Sequence, residues 1–490
     1  MEDNNDNKEK NSQMQPQYET VPLEKRDSSF EQPQEPIIEE TPEEVVTPEI
    51  PTSIDEPPIY KENKNQYLFI GLGGVIFFFI LLFLIFSLFS NKKSTKQVNL
   101  IYWGLWEEKE IFQPLIDDYQ KKNPYVKINY QKMSPDSYRD KLIVRSKNNQ
   151  GPDIFRFHNT WLPQIKEVLS PLPQSVMTNS EFEKIFYDIH KKDLKVENYY
   201  YGIPLMIDGL LMVYNRSLFK RAGVLKEPET WEEIMDIVPK LTVKNQQGNL
   251  ITSGIALGTA NNIEHFSDIF ALFLVQNGAD LSNLNTAEAV SALEAYRKFA
   301  ELPNQFWNEE MPNSINAFLQ EKVAIIFVPS WQILNIKMAN PELDFKVAKV
   351  PTIPGSKNIS IANYWVEGVS RYSKNQLEAW KFLKFLVEKE SLTKLYEIQA
   401  KARLFGTAYS RVDLANLLIQ NEYLGPVIKQ AENFVSLPLV NRTFDNGLND
   451  GLIKYLENAI NSTIEGVSYS EALKTMSEGV QQIFNRYNVN

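Results

Sequence analysis

An α/β fold preceded by a disordered tail and a single transmembrane helix is what this sequence of 490 residues predicts. Three observations carry that expectation. From Val98 onward, short apolar runs of strand length alternate with stretches whose apolar residues recur at helical spacing. That is the writing of βαβ units, in which helices cover the faces of a largely parallel sheet. Ahead of it, Tyr67 to Phe89 (YLFIGLGGVIFFFILLFLIFSLF) contains no charged residue. Ahead of that, residues 1–66 carry 17 acidic and 6 basic side chains, which accounts for the whole net charge of −11.

Residues 1–66 are rich in Glu, Gln, Asn and Pro, as in EQPQEPIIEETPEE, and hold too few large apolar residues to offset the entropy of ordering. They are expected to form a disordered acidic tail, either a solvated spacer or a docking segment. The run at 67–89 gives about 35 Å of helix against a hydrocarbon core of about 30 Å. A helix apolar on every face suits lipid better than a globular core. It follows an acidic stretch, ends in SLFSNKK, and the chain has no cysteine to carry a lipid, so it reads as a permanent anchor and not a cleaved signal. Lys92, Lys93 and Lys96 on one side, against Lys61 and Lys64 on the other, leave its orientation open by charge count. Residues 90–97 are a linker.

In the folded part, VNLIYW and VKINY are the first two strands. Between them EEKEIFQPLIDDYQKK places Ile111, Leu115, Ile116 and Tyr119 on one helical face, with Pro114 early in the helix or kinking it. Ser134-Pro135 predicts an N-cap and a first-turn proline for a helix through Leu142. Gly151-Pro152 turns the chain into a third strand, DIFRF. LLMVYN is a further buried strand. Thr230 to Glu233 (TWEE) forms a capping box for a helix carrying Ile234, Ile237, Val238 and Leu241, which Pro239 kinks or ends. A strand is expected at 323–328 (VAIIFV), and helices at 287–302, 377–388 and 470–487.

After Gln66 the charges balance, so no basic field exists to gather nucleic acid. Without cysteine there are neither disulfides nor thiolate metal sites. Three histidines and no HExxH, P-loop or GxGxxG pattern leave nucleophile, metal and phosphate chemistries without their usual parts. No enzyme, cofactor or metal site is therefore expected. A glycosidase pair of carboxylates is the remaining enzymatic reading, and 62 acidic residues supply such pairs by chance.

Six phrases stand in one order: LIYW, GPDIFRF, YGIPLMIDGLLMVYNRSLFKRAGVLKEPETWEEIMDIVPKLT, FLQEKVAIIFVPSW, VAKVPTIPGS and LEAWKFLKFLVEKE. With them the chain from about Val98 to its end resembles the extracellular solute-binding proteins of family 1, the maltose-binding-protein-like sugar receptors of ABC importers. The resemblance implies a two-lobed, periplasmic-binding-protein-like (type II) fold with three interlobe crossings and a cleft that closes on ligand. The crossings are expected near Asp208 to Leu211, near Val350 to Pro354 and just after Arg403. Lobe 1 then takes about 98–208 and 351–403, and lobe 2 about 209–350 and 404–490. The resemblance also sets the orientation, with the binding domain (98–490) extracellular or periplasmic and the tail cytoplasmic. The implied partners are a small solute, a saccharide, together with ABC permease subunits and the lipid bilayer. The tail motivates an alternative, a ligand sensor or scaffold that signals through the transmembrane helix to a cytoplasmic partner.

Two ligand-binding residues are carried over from the resemblance. Asp208, in LMIDGLLMVYN, matches a position where an acidic residue accepts hydrogen bonds from sugar hydroxyls, against the plainer expectation of a hinge aspartate bonding its own backbone. Trp331, in FVPSW, matches a tryptophan that stacks on a sugar ring. Loops at the carboxyl ends of parallel strands carry ligand contacts, which adds Trp103, Trp106 and Glu107 after the first strand and Phe157, Asn159 and Trp161 after the third. Trp365 and Glu367, beyond the second crossing, and Arg403, near the third, complete the set. For Arg403 a structural ion pair is the competing expectation.

Overall fold

The structure, a computed structural model, describes residues 96–355 and 358–489. The expected tail and the helix expected over 67–89 lie outside the described residues. Among the described residues no helix is long and apolar enough to cross a membrane.

The first run of chain is βαβαβ: β1 (Val98–Gly104), α1 (Lys109–Lys122), β2 (Val126–Lys132), α2 (Tyr138–Lys147) and β3 (Ile154–His158). β1 runs parallel to both β2 and β3. Helix α1 buries Phe112, Leu115, Ile116 and Tyr119, with Pro114 inside it. Helix α2 begins at Tyr138, with Ser137 and not Ser134 at its N-cap position and Pro135 outside it. The Ser134 hydroxyl accepts from the Asp136 amide instead, and Ser137 stands in the left-handed region at φ 54°, which no continuous α-helix admits. After β4 (Ile203–Pro204) the chain builds a second sheet from β5 (Leu210–Asn215), β6 (Ile325–Pro329) and β7 (Phe345–Ala348).

Helices α3 (Trp231–Leu241), α4 (Phe266–Gln276) and α5 (Ala287–Arg297) lie between β5 and β6, and α6 (Ser330–Ala339) follows β6 at once. Thr230 and Glu233 make the full capping box of α3, which stops just beyond Pro239. Further along the chain come β8 (Ser360–Ile361), β9 (Trp365–Val369), α7 (Gln376–Leu386), α8 (Lys389–Ala402), β10 (Phe434–Val435), α9 (Leu448–Ile464) and α10 (Tyr469–Tyr487).

The first sheet has the order β2-β1-β3-β9-β4, with β9 antiparallel to both β3 and β4. The second has the order β6-β5-β7 and is antiparallel throughout. Within these two sheets the expected parallel arrangement thus holds for β1 to β3 only. A continuous apolar run reports burial on both faces of a strand. It carries no information about direction, which depends on where distant connections return the chain.

The chain leaves the first sheet at Asp208 and Gly209, where Gly209 pairs with Ala362. A Cβ on Gly209 would overlap the Phe434 ring and the Ile361 carbonyl, so only glycine lets the strands approach this closely. The return lies at 361–364 and not at the expected Val350 to Pro354: Ser360 still donates to the Leu210 carbonyl, whereas the Tyr364 carbonyl already accepts from the Asn159 amide. The last passage also comes later than expected. Arg411 still pairs with Phe186 on the first-sheet side, and Glu422 is ion-paired with Lys346 of β7.

Candidate functional site

At the carboxyl ends of β1 and β6 lies a cavity of about 290 Å3. Trp106, Glu107 and Trp365 face it from the first-sheet side, and Ser330, Trp331, Leu334 and Asn335 from the second. The crossing segments add Met206, Ile207, Asp208, Asn363, Arg403 and residues 405–408, and the C-terminal part adds Asn441, Arg442 and Phe444. Two roomier surface grooves, of about 600 and 500 Å3, have no tryptophan in their walls.

The loop after β1 presents Trp106 and Glu107, and it is held from below. Gly104 has no side chain, so the Tyr130 hydroxyl reaches past it and donates to the Glu107 carbonyl at 2.8 Å. The Glu107 carboxylate is ion-paired with Arg156, a fully buried residue of β3 whose Nε and Nη2 each lie 2.7 Å from Oε1 of Glu367 on β9. Burial pushes the Glu367 carboxyl up, and Arg156 opposes that shift. A buried cation between two carboxylates is costly to assemble and costly to break. Here its effect is to hold one oxygen of Glu107 while the group borders the cavity.

The tryptophans are stacked behind one another. Trp161, fully buried, stands edge-on to Trp365 at 5.5 Å, and Trp365 stands edge-on to Trp106 at 5.4 Å. Edge-to-face contacts of this kind orient rings as well as packing them. Trp106 is left 38% exposed, with Phe444 beside it. His158 supports Trp365 at 5.1 Å and binds Asn363 and Thr160 through its two ring nitrogens. Burial pushes its pKa down to about 4, so the ring is neutral at pH 7.

Trp331 sits in the first turn of α6, and Asp208 holds that turn. One Asp208 oxygen accepts from the amides of Gly209 (2.8 Å) and Ser330 (3.2 Å), and the other from the Ser330 hydroxyl (2.8 Å). The Trp331 amide also bonds to this carboxylate. Asp208 is therefore a helix cap supplied from the crossing, a role neither expectation named; only its bond to the Gly209 amide matches the hinge aspartate, and the group also borders the cavity. Burial pushes its pKa up to about 6.

Six of the sequence-derived residues meet in this cavity: Trp106, Glu107, Asp208, Trp331, Trp365 and Arg403. The others lie off it. Trp103 is still within β1, 2% exposed, and donates to Gln131 at 3.0 Å. Phe157 is fully buried in β3. Asn159 donates to Asp193 and Ser436, Trp161 backs Trp365, and Glu367 is taken up by Arg156. Arg403 makes no ion pair among the described residues, so the structural ion pair expected for it is absent. Sequence reasoning missed Ser330, Asn363, Asn441, Arg442 and Phe444. Ser330 had a signal, its place between Pro329 and Trp331 at a strand end. Among the described residues no group of acidic or histidine side chains is arranged to hold a metal ion.

The family model for bacterial extracellular solute-binding proteins matches residues 104–392, more than half of the chain. The chain belongs to that family. This solute-binding protein is similar to the maltodextrin-binding protein of Bacillus subtilis, at 26% identity over 271 residues, covering 52% of this chain and 61% of that one. It is also similar to the multiple sugar-binding protein of Streptococcus mutans, at 22% over 329 residues, covering 63% and 76%. Among solved structures it shares the fold of a cyclo/maltodextrin-binding protein complexed with maltotetraose (TM-score 0.65, 19% identity, 80% of this chain and 99% of that one). The sugar-binding protein of Xanthomonas citri is matched as well (TM-score 0.66, 19% identity, 80% and 98%). The solute-binding protein is thus a two-lobed binding receptor of an extracellular or periplasmic family, and not an enzyme.

Proposed function

We propose that this solute-binding protein is a membrane-anchored receptor that captures a sugar or oligosaccharide outside the cell and delivers it to an ABC importer by closing its cleft. The observation that carries the reading is the tryptophan-walled cavity formed by Trp106, Trp331 and Trp365 beside Glu107. Indole faces cover the apolar C–H surface of a sugar ring, and a few placed polar groups orient its hydroxyls. The volume of about 290 Å3 is at the small end of the range for ligand sites and fits one or two sugar rings. The maltodextrin and multiple-sugar specificities in the names of its relatives point the same way. Trp106, Glu107, Trp331, Trp365 and Arg403 are assigned to the ligand, and Asp208 to the geometry of Trp331.

The anchor rests on sequence, since Tyr67 to Phe89 is uncharged and long enough to span a bilayer; its orientation, acidic tail inside and receptor outside, rests on the extracellular family of the binding domain. Proteolysis of intact cells should remove the binding domain before the tail, and the reverse order overturns the orientation. Calorimetric titration of the detergent-solubilised full chain against mono- and disaccharides tests the receptor reading. Binding that weakens in both Trp331→Ala and Trp106→Ala supports it, and unchanged affinity in both refutes it. The acidic tail favours one further reading, a sensor acting through a cytoplasmic partner. A deletion of residues 2–60 that keeps uptake but loses ligand-dependent gene induction would favour the sensor.

A further inference from the structure

Four ionisable side chains border the cavity: Glu107, Asp208, Arg403 and Arg442. Three of them already have a charged or capping partner in the protein. Glu107 is paired with Arg156 and also faces the Gln399 amide at 3.3 Å. Asp208 is bonded by Gly209 and Ser330, and Arg442 is paired with Glu264. Arg403 differs. Its Nε donates to the Phe405 carbonyl at 3.1 Å, and among the described residues its two terminal nitrogens have no hydrogen-bond or ion-pair partner.

The position of this guanidinium is built and not incidental. Arg403 is the C-terminal cap of α8, its own amide donating to the Gln399 carbonyl. The Gln399 side chain accepts from the amide (2.9 Å) and hydroxyl (3.1 Å) of Thr407, which pins the loop that carries the Phe405 carbonyl. Nε is thereby engaged, and the terminal N–H groups are left for whatever enters. A guanidinium does not deprotonate in proteins, so the charge persists in the cleft. Burial pushes its pKa down, and the charges of Glu107 and Asp208 oppose that shift without touching it, so its terminal N–H groups stay unsatisfied. Its planar fork matches the two oxygens of a carboxylate or a phosphate, which a neutral hydroxyl does not reproduce.

We propose that the cleft takes an acidic saccharide, with the carboxylate or phosphate of the sugar held by the Arg403 fork while Trp106 and Trp331 cover the ring. This rests on the receptor reading given above and narrows its ligand. Glu107, with only a long contact from Gln399 on its free oxygen, accepts a hydroxyl of the same ring.

The test is calorimetric titration of the full chain in detergent with two matched pairs, galacturonate against galactose and glucose 6-phosphate against glucose. In at least one pair the acidic member should bind roughly tenfold or more tightly than its neutral parent. Whichever pair shows the preference identifies carboxylate or phosphate as the group. Raising the salt concentration should weaken the acidic member alone. Arg403→Gln should abolish the preference by weakening the acidic member roughly tenfold more than its neutral parent, and Arg403→Lys, which keeps the charge without the fork, should restore part of it. The circular dichroism of each variant guards against misfolding. Equal affinities within both pairs, or an equal loss for acidic and neutral sugars in Arg403→Gln, overturns the proposal. If neutral sugars bind and depend on Trp331, only this inference falls. If no sugar binds and Trp331→Ala changes nothing, the receptor reading falls with it.

Discussion

Replacing Arg156 by Met leaves Glu107 and Glu367, 6% and 1% exposed, without the cation that lies between them. Removing one partner of a buried ion pair costs about 3–5 kcal/mol, and the upper end applies here because one side chain serves two carboxylates. The loss should depend on pH. Burial already raises the Glu367 carboxyl and Arg156 counteracts it, so in the variant the group rises further. A carboxyl raised in the folded state contributes stability that is complete below its unfolded value and is lost as pH climbs through the folded one. The deficit is therefore greatest near neutrality and should be roughly 1–2 kcal/mol smaller at pH 5 than at pH 7.5. Urea denaturation followed by tryptophan fluorescence at the two pH values measures both numbers. Combining Glu107→Gln, Arg156→Met and Glu367→Gln should recover most of the loss, because an uncharged cluster has no desolvation penalty to meet. A loss below about 1 kcal/mol, or the same loss at both pH values, would refute the reasoning.

Trp331→Ala should weaken saccharide binding roughly tenfold to a hundredfold with little change in melting temperature, since the ring is only half-buried. Trp103→Phe should leave calorimetric affinity unchanged, and an effect equal to that of Trp331→Ala would relocate the site. His158→Gln should flatten the acid limb of the stability profile. A histidine depressed to about 4 contributes stability above its unfolded pKa that is lost as pH falls toward 4, which urea midpoints from pH 7 to 4 would register. Asp208→Asn should cost about 0.5–2 kcal/mol at pH 7 through the lost cap. Its gap to wild type should widen toward pH 4, because a carboxyl raised to about 6 adds stability as pH falls through that value.

What was legible in the sequence was local. The apolar run of β1, the helical face of α1 and the Thr230 capping box depend on residues a few positions apart, and they stand where the pattern put them, except that α1 buries Phe112 where Ile111 was expected. The antiparallel second sheet and the return at 361–364 depend on pairings between distant segments, such as Gly209 with Ala362, and left no local trace. The same division runs through the site. Position at the carboxyl end of a strand locates the right end of the sheet, and that brought in Trp106 and Glu107. It does not say which way a side chain points or how deep it lies, so Trp103 and Phe157 were drawn in although both belong to the core. Phe444 and Asn441 were missed because their segment has neither strand nor helix periodicity. Arg442, Phe444 and Asn446 there take positive φ values of 61°, 56° and 44°, a conformation set by surroundings and not by residue type.

Behind three of the features that face the cavity stands a polar group that holds each in place. Arg156 fixes Glu107, Asp208 fixes the turn bearing Trp331, and Gln399 fixes the loop against which Arg403 rests. The first two join segments that are far apart in sequence and the third closes a local loop, so the recognition surface is assembled before ligand arrives and less ordering entropy is lost on binding. The two kinds of residue should then differ in what their loss does. Truncating a facing residue removes contact with the ligand and leaves the fold, so affinity falls while denaturation midpoints hold. Truncating a residue behind it loosens the constellation and breaks a buried hydrogen bond at once, so affinity and stability fall together. Measuring both quantities on the same variants separates the ligand's own contacts from the framework that aims them.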